Sequence, residues 1–513
     1  MKRLGVFLFF LLGMAGTKRL NAQESLDSEI VAQIRDQAFN HSQVMDIAFH
    51  LTDASGSRLT NSPGWARAAH WAEVTLTSWG LSYTTLEPWG VFGRSWEVRK
   101  MYLAMTEPYY KPLIAFPGAW TEGSHGPFQT ELMLYHPQDS ISQASFIGHL
   151  KGKLVITYPS HDALVVPFIP EAKRYTDSDL YVMAHPVPEQ QLPAVTASVR
   201  RPPAVRKAHP HVPRMVGERL FFQQEGILGE LNTNRSDRDG TVFVGGGGPH
   251  ETNVPLSPMN LQLSYEDYHL LVRLLEDSIP VRLEGDVDCR SLTNDSIAYN
   301  VVAEIPGVDP VLSHQLVILG AHLDSWQGAT GATDNGAGSA VMLEAVRILQ
   351  TLHIRPRRTI RIVLWSGEEE GLLGSTAYVK THFVTGDTTV SAYYNLDNGT
   401  GRIRGIYLQQ DSAAGPVFAP WLTSFKDLGA STIAPGNTGG TDHESFAASG
   451  FLGFQFIQDP IEYYRRTHHS NMDTYDHLLS ADLQQAACII AAFAYQTAMR
   501  QLPIPRMVVV KVQ

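Results

Sequence analysis

The C-terminal half of the chain alternates apolar runs with amphipathic segments, and this alternation restricts the fold more than any other feature. The runs LVILGAHLD, RTIRIVLW, VSAYYNLDN and FLGFQFIQD have the length and composition of buried strands. Helical spacing is found in GSAVMLEAVRILQTL, LLGSTAYVKTHF and DLQQAACIIAAFAYQTAM. Strands that alternate with helices predict an α/β fold with a mostly parallel central sheet flanked by helices. In such sheets, ligands bind at the carboxyl ends of the strands.

The middle of the chain has a different composition, and 513 residues are too many for one ordinary domain. Between Lys111 and Asp288 the predicted strands are short and turn-rich, as in GHLKGKLVITYPS and GTVFVGGGGPHE. We therefore predict a β-rich insert at 111–288 within a catalytic domain formed by residues 23–110 and 289–513. Residues 23 to about 105 are predicted to be helical.

A Pro-rich basic stretch, SVRRPPAVRKAHPHVPR, lies within the predicted insert. We interpret it as an exposed loop, with binding of an acidic partner as the alternative.

The first 22 residues have the pattern of a secretory signal peptide. Lys2 and Arg3 precede an apolar run, and LNAQES offers a cleavage position after Ala22. The run is shorter than the roughly 20 residues that a membrane span requires, and no later segment reaches that length. We therefore predict a secreted or periplasmic protein without a membrane span.

Charge and cysteine content argue against several classes of protein. Removal of residues 1–22 takes away four positive charges and moves the formal net charge from −11 to −15, which disfavours a nucleic-acid partner. Cys289 and Cys488 fit neither a CxxC metal pattern nor a disulfide-rich scaffold. We interpret them as buried thiols, with one long-range disulfide as the alternative in an exported protein.

Polar residues follow the predicted strands at the points where the strands end. Each has an ordinary explanation as a turn former, a helix cap or a solvated charge, but their joint occurrence at successive strand ends favours a site. Histidines and carboxylates that converge on one edge of a sheet would suit zinc. The set comprises His322, Asp324, Asp334, Glu368, Glu369, Asp397, His468 and His469.

The segments that carry these residues resemble the motifs of a known enzyme family. GAHLDSW, ATDNGAGSAVMLEAVRIL, RIVLWSGEEEGLLGS, NLDNGTG and HHSNMDT are similar to motifs of the co-catalytic zinc aminopeptidase and carboxypeptidase superfamily, and most similar to those of its carboxypeptidase Q group. The likeness extends to LTDASGSRLTNSPGWARAAHWA and WGLSYTTLEPWGVFGRSW, and the insert resembles a protease-associated domain. This resemblance implies an exported metallo-exopeptidase with two zinc ions that hydrolyses dipeptides or trims short peptides.

The resemblance implies a set of five metal ligands. Asp334 would bridge two zinc ions, which a shared carboxylate holds roughly 3.5 to 4 Å apart. His322 and Asp397 would complete one ion, and Glu369 and His469 would complete the other.

The resemblance also implies which residues act on the substrate. Glu368 would be the general base for a metal-bound hydroxide and would then protonate the leaving amine. His468 occupies the position at which many relatives carry a tyrosine, so it would donate to the oxyanion. Asp324 would orient the ring of His322 without binding the metal itself. Glu370 is expected to face solvent.

The substrate pocket is less well defined by the sequence. NTGGTDHESF resembles a loop near the active site of the family, so Asp442 and His443 are candidate pocket residues, with a turn and helix cap as the equal alternative. The insert is expected to cover the strand ends and limit substrate size. Amino-terminal or carboxy-terminal preference stays open, and so does a homodimer.

Two other functions are alternatives to a di-zinc exopeptidase. Relatives that act as receptors keep the fold but have lost the metal ligands, and retention of all five ligands with Glu368 argues against such a binding protein. A glutaminyl cyclase-like enzyme uses a related fold and one zinc ion, and the ligand set alone does not exclude it.

Overall fold

The computed structural model describes residues 27–136, 143–157, 170–186, 212–234, 236–293, 296–384 and 388–507. The predicted signal peptide lies outside these residues, as does the Pro-rich basic stretch up to residue 211. Within the described residues, the chain forms two eight-stranded sheets with flanking helices.

The α-helices of the described chain, in chain order, are α1 Ser28–Asn40, α2 Val44–Leu51, α3 Pro63–Ser78, α4 Asp177–Ala184, α5 Val212–Glu225, α6 Tyr265–Glu276, α7 Ala337–Thr351, α8 Leu373–His382, α9 Gly415–Thr423, α10 His443–Ala448 and α11 Ser480–Met499. None of these described helices combines the length and the apolar composition that a membrane crossing requires.

The strands of the described chain are β1 Ser82–Val91, β2 Ser95–Glu107, β3 Lys111–Pro112, β4 Ala115–Pro117, β5 Phe128–Tyr135, β6 Leu154–Thr157, β7 Gly229–Asn232, β8 Met259–Leu263, β9 Arg282–Leu292, β10 Ile297–Ile305, β11 Leu316–His322, β12 Thr359–Trp365, β13 Val390–Asn395, β14 Ile403–Tyr407, β15 Thr432–Ala434 and β16 Gly453–Gln458.

The first sheet has the order β1-β10-β12-β11-β13-β16-β14-β15. Its four central strands, β12, β11, β13 and β16, run parallel to one another. The strands β1 and β10 join antiparallel on one side, and β14 joins antiparallel on the other. The predicted α/β class is therefore confirmed, and its parallel part places several strand ends at one edge.

Both faces of the first sheet are covered, because successive side chains of a strand point to opposite faces. Val317 and Leu319 of β11 belong to the large core that also contains α7 and α11. Ile318 packs on the other face, where Tyr378 of α8 and Phe446 of α10 lie. Helix α11 is buried along nearly its whole length, as expected for a helix that is apolar on all sides.

The N-terminal part of the chain is only partly as predicted. Helices α1 to α3 form where a helical segment is expected and pack into the core of the first sheet. The prediction of helix up to about residue 105 is wrong after α3, because 82–91 and 95–107 form β1 and β2. The long pairing of each strand with β10 or β9 outweighs local propensity there.

The second sheet has the order β3-β2-β9-β5-β6-β7-β8-β4. Strands β2 and β9 form a long antiparallel ribbon that pairs Ser95 with Leu292 at one end and Glu107 with Arg282 at the other. This ribbon extends on both sides of the predicted 111–288 insert. The identity of this insert as a protease-associated domain stays a prediction.

The two cysteines are free thiols; Cys488 is buried as expected, whereas Cys289 is half-buried. Burial raises the pKa of Cys289 and of Cys488 to about 12. Neither is therefore ionised near neutral pH.

Candidate metal centre

The predicted site residues meet at the edge of the first sheet where its parallel strands end. His322 is the last residue of β11, Glu368 and Glu369 follow β12, and Asp397 follows β13. Asp334 lies in the turn Ala332–Gly336 that leads into α7. These residues are distant in sequence but close in space, because the parallel strands β11, β12 and β13 end at the same edge of the sheet.

Asp334 lies at the middle of the cluster and faces a different histidine with each oxygen. Its Oδ1 atom is 3.3 Å from Nε2 of His322, and its Oδ2 atom is 3.1 Å from Nε2 of His469. Both Asp334 and His322 are buried. A carboxylate in this position is suited to be shared by two cations.

Each histidine also faces a second carboxylate. Nε2 of His322 is 3.3 Å from Oδ1 of Asp397 and 4.0 Å from Oε2 of Glu368. Nε2 of His469 is 2.9 Å from Oε2 of Glu369. The pairs His322 with Asp397 and His469 with Glu369 are those that the resemblance implies.

Three overlapping groups of these side chains bring possible ligand atoms within 4.8 Å of one another. They are Asp334 with His468 and His469, His322 with Glu368 and Asp397, and His322 with Asp334 and Glu369. Nitrogen and carboxylate oxygen donors of this kind suit zinc.

Within the described chain, the buried carboxylate oxygens that lack a hydrogen bond include Oδ1 of Asp324, Oδ2 of Asp334 and Oε1 of Glu369. A buried acceptor without a donor is costly unless another group, such as a cation, compensates it. The side chains of His468 and His469 keep 35% and 33% exposure, so the cluster is open on their side.

Charge coupling within the cluster is strong. Burial lowers the pKa of His322, but the carboxylates of Asp397 and its neighbours outweigh burial and hold it well above the ordinary value. The pKa of His469 is held high in the same way by Glu369. Burial raises the pKa of Asp334, but both histidines outweigh burial and hold it well below its usual value.

The pKa values of Glu368 and Glu369 are raised, in contrast to that of Asp334. Burial raises the pKa of Glu368 well above its ordinary value, although His322 opposes the effect. Burial also raises the pKa of Glu369 to about 7, against the opposing effect of His469. Bound cations would favour the ionised forms of these carboxyl groups, so the residues present fit a metal site.

His468 differs from the other two histidines of the cluster. Burial and the neighbouring His469 lower the pKa of His468 to about 4. Its ring stacks on that of His469 at 3.7 Å, and its Nε2 atom is 3.7 Å from Oδ2 of Asp334. A neutral imidazole retains one N–H donor, which the predicted oxyanion role requires.

Asp324 contacts the centre in two ways. Its backbone oxygen is 3.1 Å from Nδ1 of His322, whereas its carboxylate oxygen Oδ1 is 3.8 Å away. The other carboxylate oxygen accepts the backbone N–H of Glu369 at 3.1 Å. The backbone of Asp324 thus faces the histidine ring, and its side chain fixes the glutamate turn.

Glu370 does not face solvent, so that prediction is wrong. Its Oε2 atom accepts a hydrogen bond from Oγ1 of Thr60 at 2.7 Å, and its Oε1 atom is buried. Thr60 in turn accepts the N–H of Gly367 at 3.0 Å. Glu370 therefore ties the turn after β12 to the N-terminal part of the chain.

The candidate pocket residues Asp442 and His443 are both buried. Burial raises the pKa of Asp442 to about 7 and lowers the pKa of His443. Asp442 lies close enough to raise the pKa of Glu368. Asp442 is therefore a buried neighbour of Glu368, and its contact with substrate stays a prediction.

Two residues that hold the metal-site loops were missed by the sequence analysis. The buried guanidinium of Arg58 donates to the backbone oxygens of Leu323 at 2.6 Å and Gly331 at 2.8 Å. Asp473 accepts the N–H groups of Thr333 at 2.5 Å and Asp334 at 3.2 Å. The hydrogen-bond partners of both residues are far away in sequence. Only Asp473 could have been found from a local pattern, because it lies four residues after His469 in HHSNMDT.

A comparison with protein-family models matches residues 300–494 to peptidase family M28. This region contains every residue of the metal centre described above, and the match confirms the predicted relation to the zinc exopeptidase superfamily.

Curated relatives of the M28 region include both carboxypeptidases and aminopeptidases. The chain is 27% identical to carboxypeptidase Q of Homo sapiens over 257 residues, which are 50% of this chain and 53% of the relative. It is 28% identical to aminopeptidase YwaD of Bacillus subtilis (strain 168) over 232 residues, which are 44% of this chain and 50% of the relative. The chain thus spans about half the length of the curated relatives it matches.

Solved structures match a larger part of the chain. A peptidase M28 precursor from Shewanella amazonensis superposes with a TM-score of 0.65 at 25% identity and covers 94% of this chain and 98% of its own. BSAP, a zinc aminopeptidase from Bacillus subtilis, superposes with a TM-score of 0.55 at 17% identity, covering 90% and 95%. Both likenesses include the second sheet as well as the M28 region.

Proposed function

We propose that the protein is an exported di-zinc metallo-exopeptidase that hydrolyses dipeptides or removes terminal residues from short peptides. The observation that carries this proposal is the position of Asp334, whose two oxygens face two different histidines. Such a carboxylate is shared between two ions in co-catalytic sites. The M28 match at 300–494 supports the metallopeptidase chemistry, and export rests on the predicted signal peptide.

The ligands fall into two groups around Asp334. His322 and Asp397 would hold one ion with it, and Glu369 and His469 would hold the other. Bound zinc supplies Lewis-acid chemistry, which lowers the pKa of a coordinated water and polarises the scissile carbonyl.

Glu368 is the proposed general base. It lies beside His322, with Oε2 4.0 Å from Nε2 of that histidine, but its side chain is not among the proposed ligands. It would take a proton from the attacking water and return it to the leaving amine. His468 would donate an N–H to the oxygen that becomes negative in the transition state.

Metal analysis of the purified protein tests the proposal directly. Wild type should bind two zinc ions per chain, and Asp334→Ala should bind neither, because both ions lose the shared ligand. Asp36→Ala, which removes an exposed carboxylate from α1, is the control and should bind both. One ion in wild type would favour the cyclase-like alternative, and none would favour the receptor-like one.

A further inference from the structure

A loop of the second sheet runs beside the segment that carries His469. Val244 donates its N–H to the backbone oxygen of His469 at 2.7 Å. Phe243 and Ser470 form an antiparallel bridge. These contacts place the 240–246 loop directly against the His469–Asn471 segment.

Asn471 makes most of the remaining contacts between the loop and this segment. Its N–H donates to the backbone oxygen of Val242 at 3.1 Å. Its side-chain Oδ1 accepts the N–H of Val242 at 2.7 Å, and its Nδ2 donates to the backbone oxygen of Gly240 at 3.1 Å. One side chain therefore binds the loop at two positions.

The 240–246 loop is also held by residues that follow β11. Nε2 of Gln327 donates to the backbone oxygens of Gly245 at 3.1 Å and Pro117 at 2.8 Å. Gly328 packs so closely that an added Cβ would lie 2.8 Å from a methyl group of Val244. The loop is therefore in contact with two segments of the metal centre, the residues after β11 and the His469–Asn471 segment.

His469 needs such support because its backbone is in the left-handed region, with φ of 60°. A non-glycine residue in that region is strained and persists only where surrounding contacts hold it. The backbone hydrogen bond from Val244 acts on His469 itself, and those of Asn471 act two residues later.

We propose that Asn471 is a positioning residue that couples the second sheet to the metal centre by holding His469 in place. The role rests on the proposed function, since it matters to catalysis only if His469 binds zinc. It adds to that function a way in which the non-catalytic sheet governs metal affinity.

The test compares Asn471→Ala with a matched variant of the second sheet. Ser124→Ala is suitable because the Ser124 hydroxyl also makes two backbone bonds, to Gly126 at 2.7 Å and Val287 at 2.9 Å. Asn471→Asp keeps the acceptor for Val242 and loses the donor to Gly240. Zinc affinity is measured by competition with a chelator, and amide hydrogen exchange is measured on the metal-free chain.

Asn471→Ala should lower the affinity for one of the two zinc ions by about 10- to 100-fold, the usual effect of removing support from a ligand. Asn471→Asp should have a smaller effect, and Ser124→Ala should leave both affinities within about twofold. In the metal-free chain, Asn471→Ala should speed exchange of the Val242 and Val244 amides by about tenfold or more, because their local protection is lost.

The two readouts separate failure of the inference from failure of the proposed function. Unchanged exchange in Asn471→Ala would overturn the inference, and so would a loss of zinc affinity no larger than that in Ser124→Ala. Absence of zinc binding by wild type would overturn the proposed function. Exchange would then decide the inference by itself, and faster exchange would support the coupling of loop and segment.

Discussion

Three consecutive glutamates after β12 have three different environments. Glu368 faces His322, and Glu369 contacts His469. Glu370 turns towards Thr60 in the N-terminal part of the chain. Neighbouring side chains in a turn diverge, so one short segment supplies a base, a ligand and a structural tie.

Replacing each glutamate by glutamine should give three different results. Glu368→Gln should retain both zinc ions but reduce turnover by about 10² to 10⁴, because a general base is lost while size is kept. Glu369→Gln should weaken zinc at one position. Glu370→Gln should change neither property much, because burial already favours the neutral acid and the amide oxygen can still accept from Thr60.

Zinc content and turnover measured on the same three preparations decide these assignments. An inactive Glu370→Gln beside an active Glu368→Gln would show that the roles are shifted by two residues, and the mechanism would have to be redrawn.

The sequence allowed the ligands to be predicted because each ends or follows a strand of the parallel core. Convergence of His322 and Asp397 follows from strand order alone. The supporting roles of Arg58 and Glu370 did not follow, because their partners are hundreds of residues away or in the N-terminal helical region. A charged residue that binds backbone oxygens of a distant segment is not marked by any pattern in the sequence around it.

Among the elements, the turn that precedes the 240–246 loop is organised by one buried carboxylate. Asp237 accepts the N–H of Asn234 at 2.7 Å and that of Phe243 at 2.8 Å. Burial nevertheless raises its pKa from 3.8 to about 6. The folded chain therefore keeps a proton on Asp237 at pH values where the unfolded chain has lost it.

The sign of this shift predicts that Asp237 stabilises the fold less as pH rises from 3.8 to about 6. Relative to Asp237→Asn, the free energy of unfolding of wild type should fall by roughly 2 kcal/mol between about pH 4 and about pH 7. Urea unfolding of the metal-free proteins at several pH values measures the difference. The exposed neighbour provides a control, Asp239→Asn, and an equal slope in that variant would contradict the assignment.

Elements were predictable where a strand has a continuous and mostly apolar sequence, as in β11, β12 and β13. Strand β15 has only three residues, too few for a period to show. Strand β1 is half exposed along its length and forms through pairing with β10, more than 200 residues later. Such strands depend on partners that a local pattern does not contain.

At the scale of the whole molecule, the second sheet contributes directly to the rim of the metal centre. Its Val244 binds His469, and Trp326, which lies edge-on to the ring of His469 at 6.0 Å, also contacts Trp120 near β4. Atoms from both sheets therefore surround the more exposed side of the cluster. We predict that this arrangement limits the room for a substrate chain that continues past the cleaved bond.

We therefore expect kcat/KM to fall as the substrate becomes longer. A dipeptide should be cleaved faster than a folded protein or a peptide of about twenty residues with the same terminal pair, because the longer chain meets the second sheet. Mass spectrometry of a mixture of such substrates measures the rates together. Equal rates for proteins and dipeptides would contradict the size limit.

The path of the chain also determines when each sheet can be completed during synthesis. The second sheet uses one continuous stretch, from Ser95 to Leu292. The first sheet pairs β1 with β10, and its core joins α1 to α11, with Tyr495 donating to Asp27 at 2.9 Å. All strands of the second sheet therefore emerge, in synthesis or in export, before α7 and α11 do, so the apolar faces of α1 to α3 stay uncovered until the C-terminal half of the chain arrives.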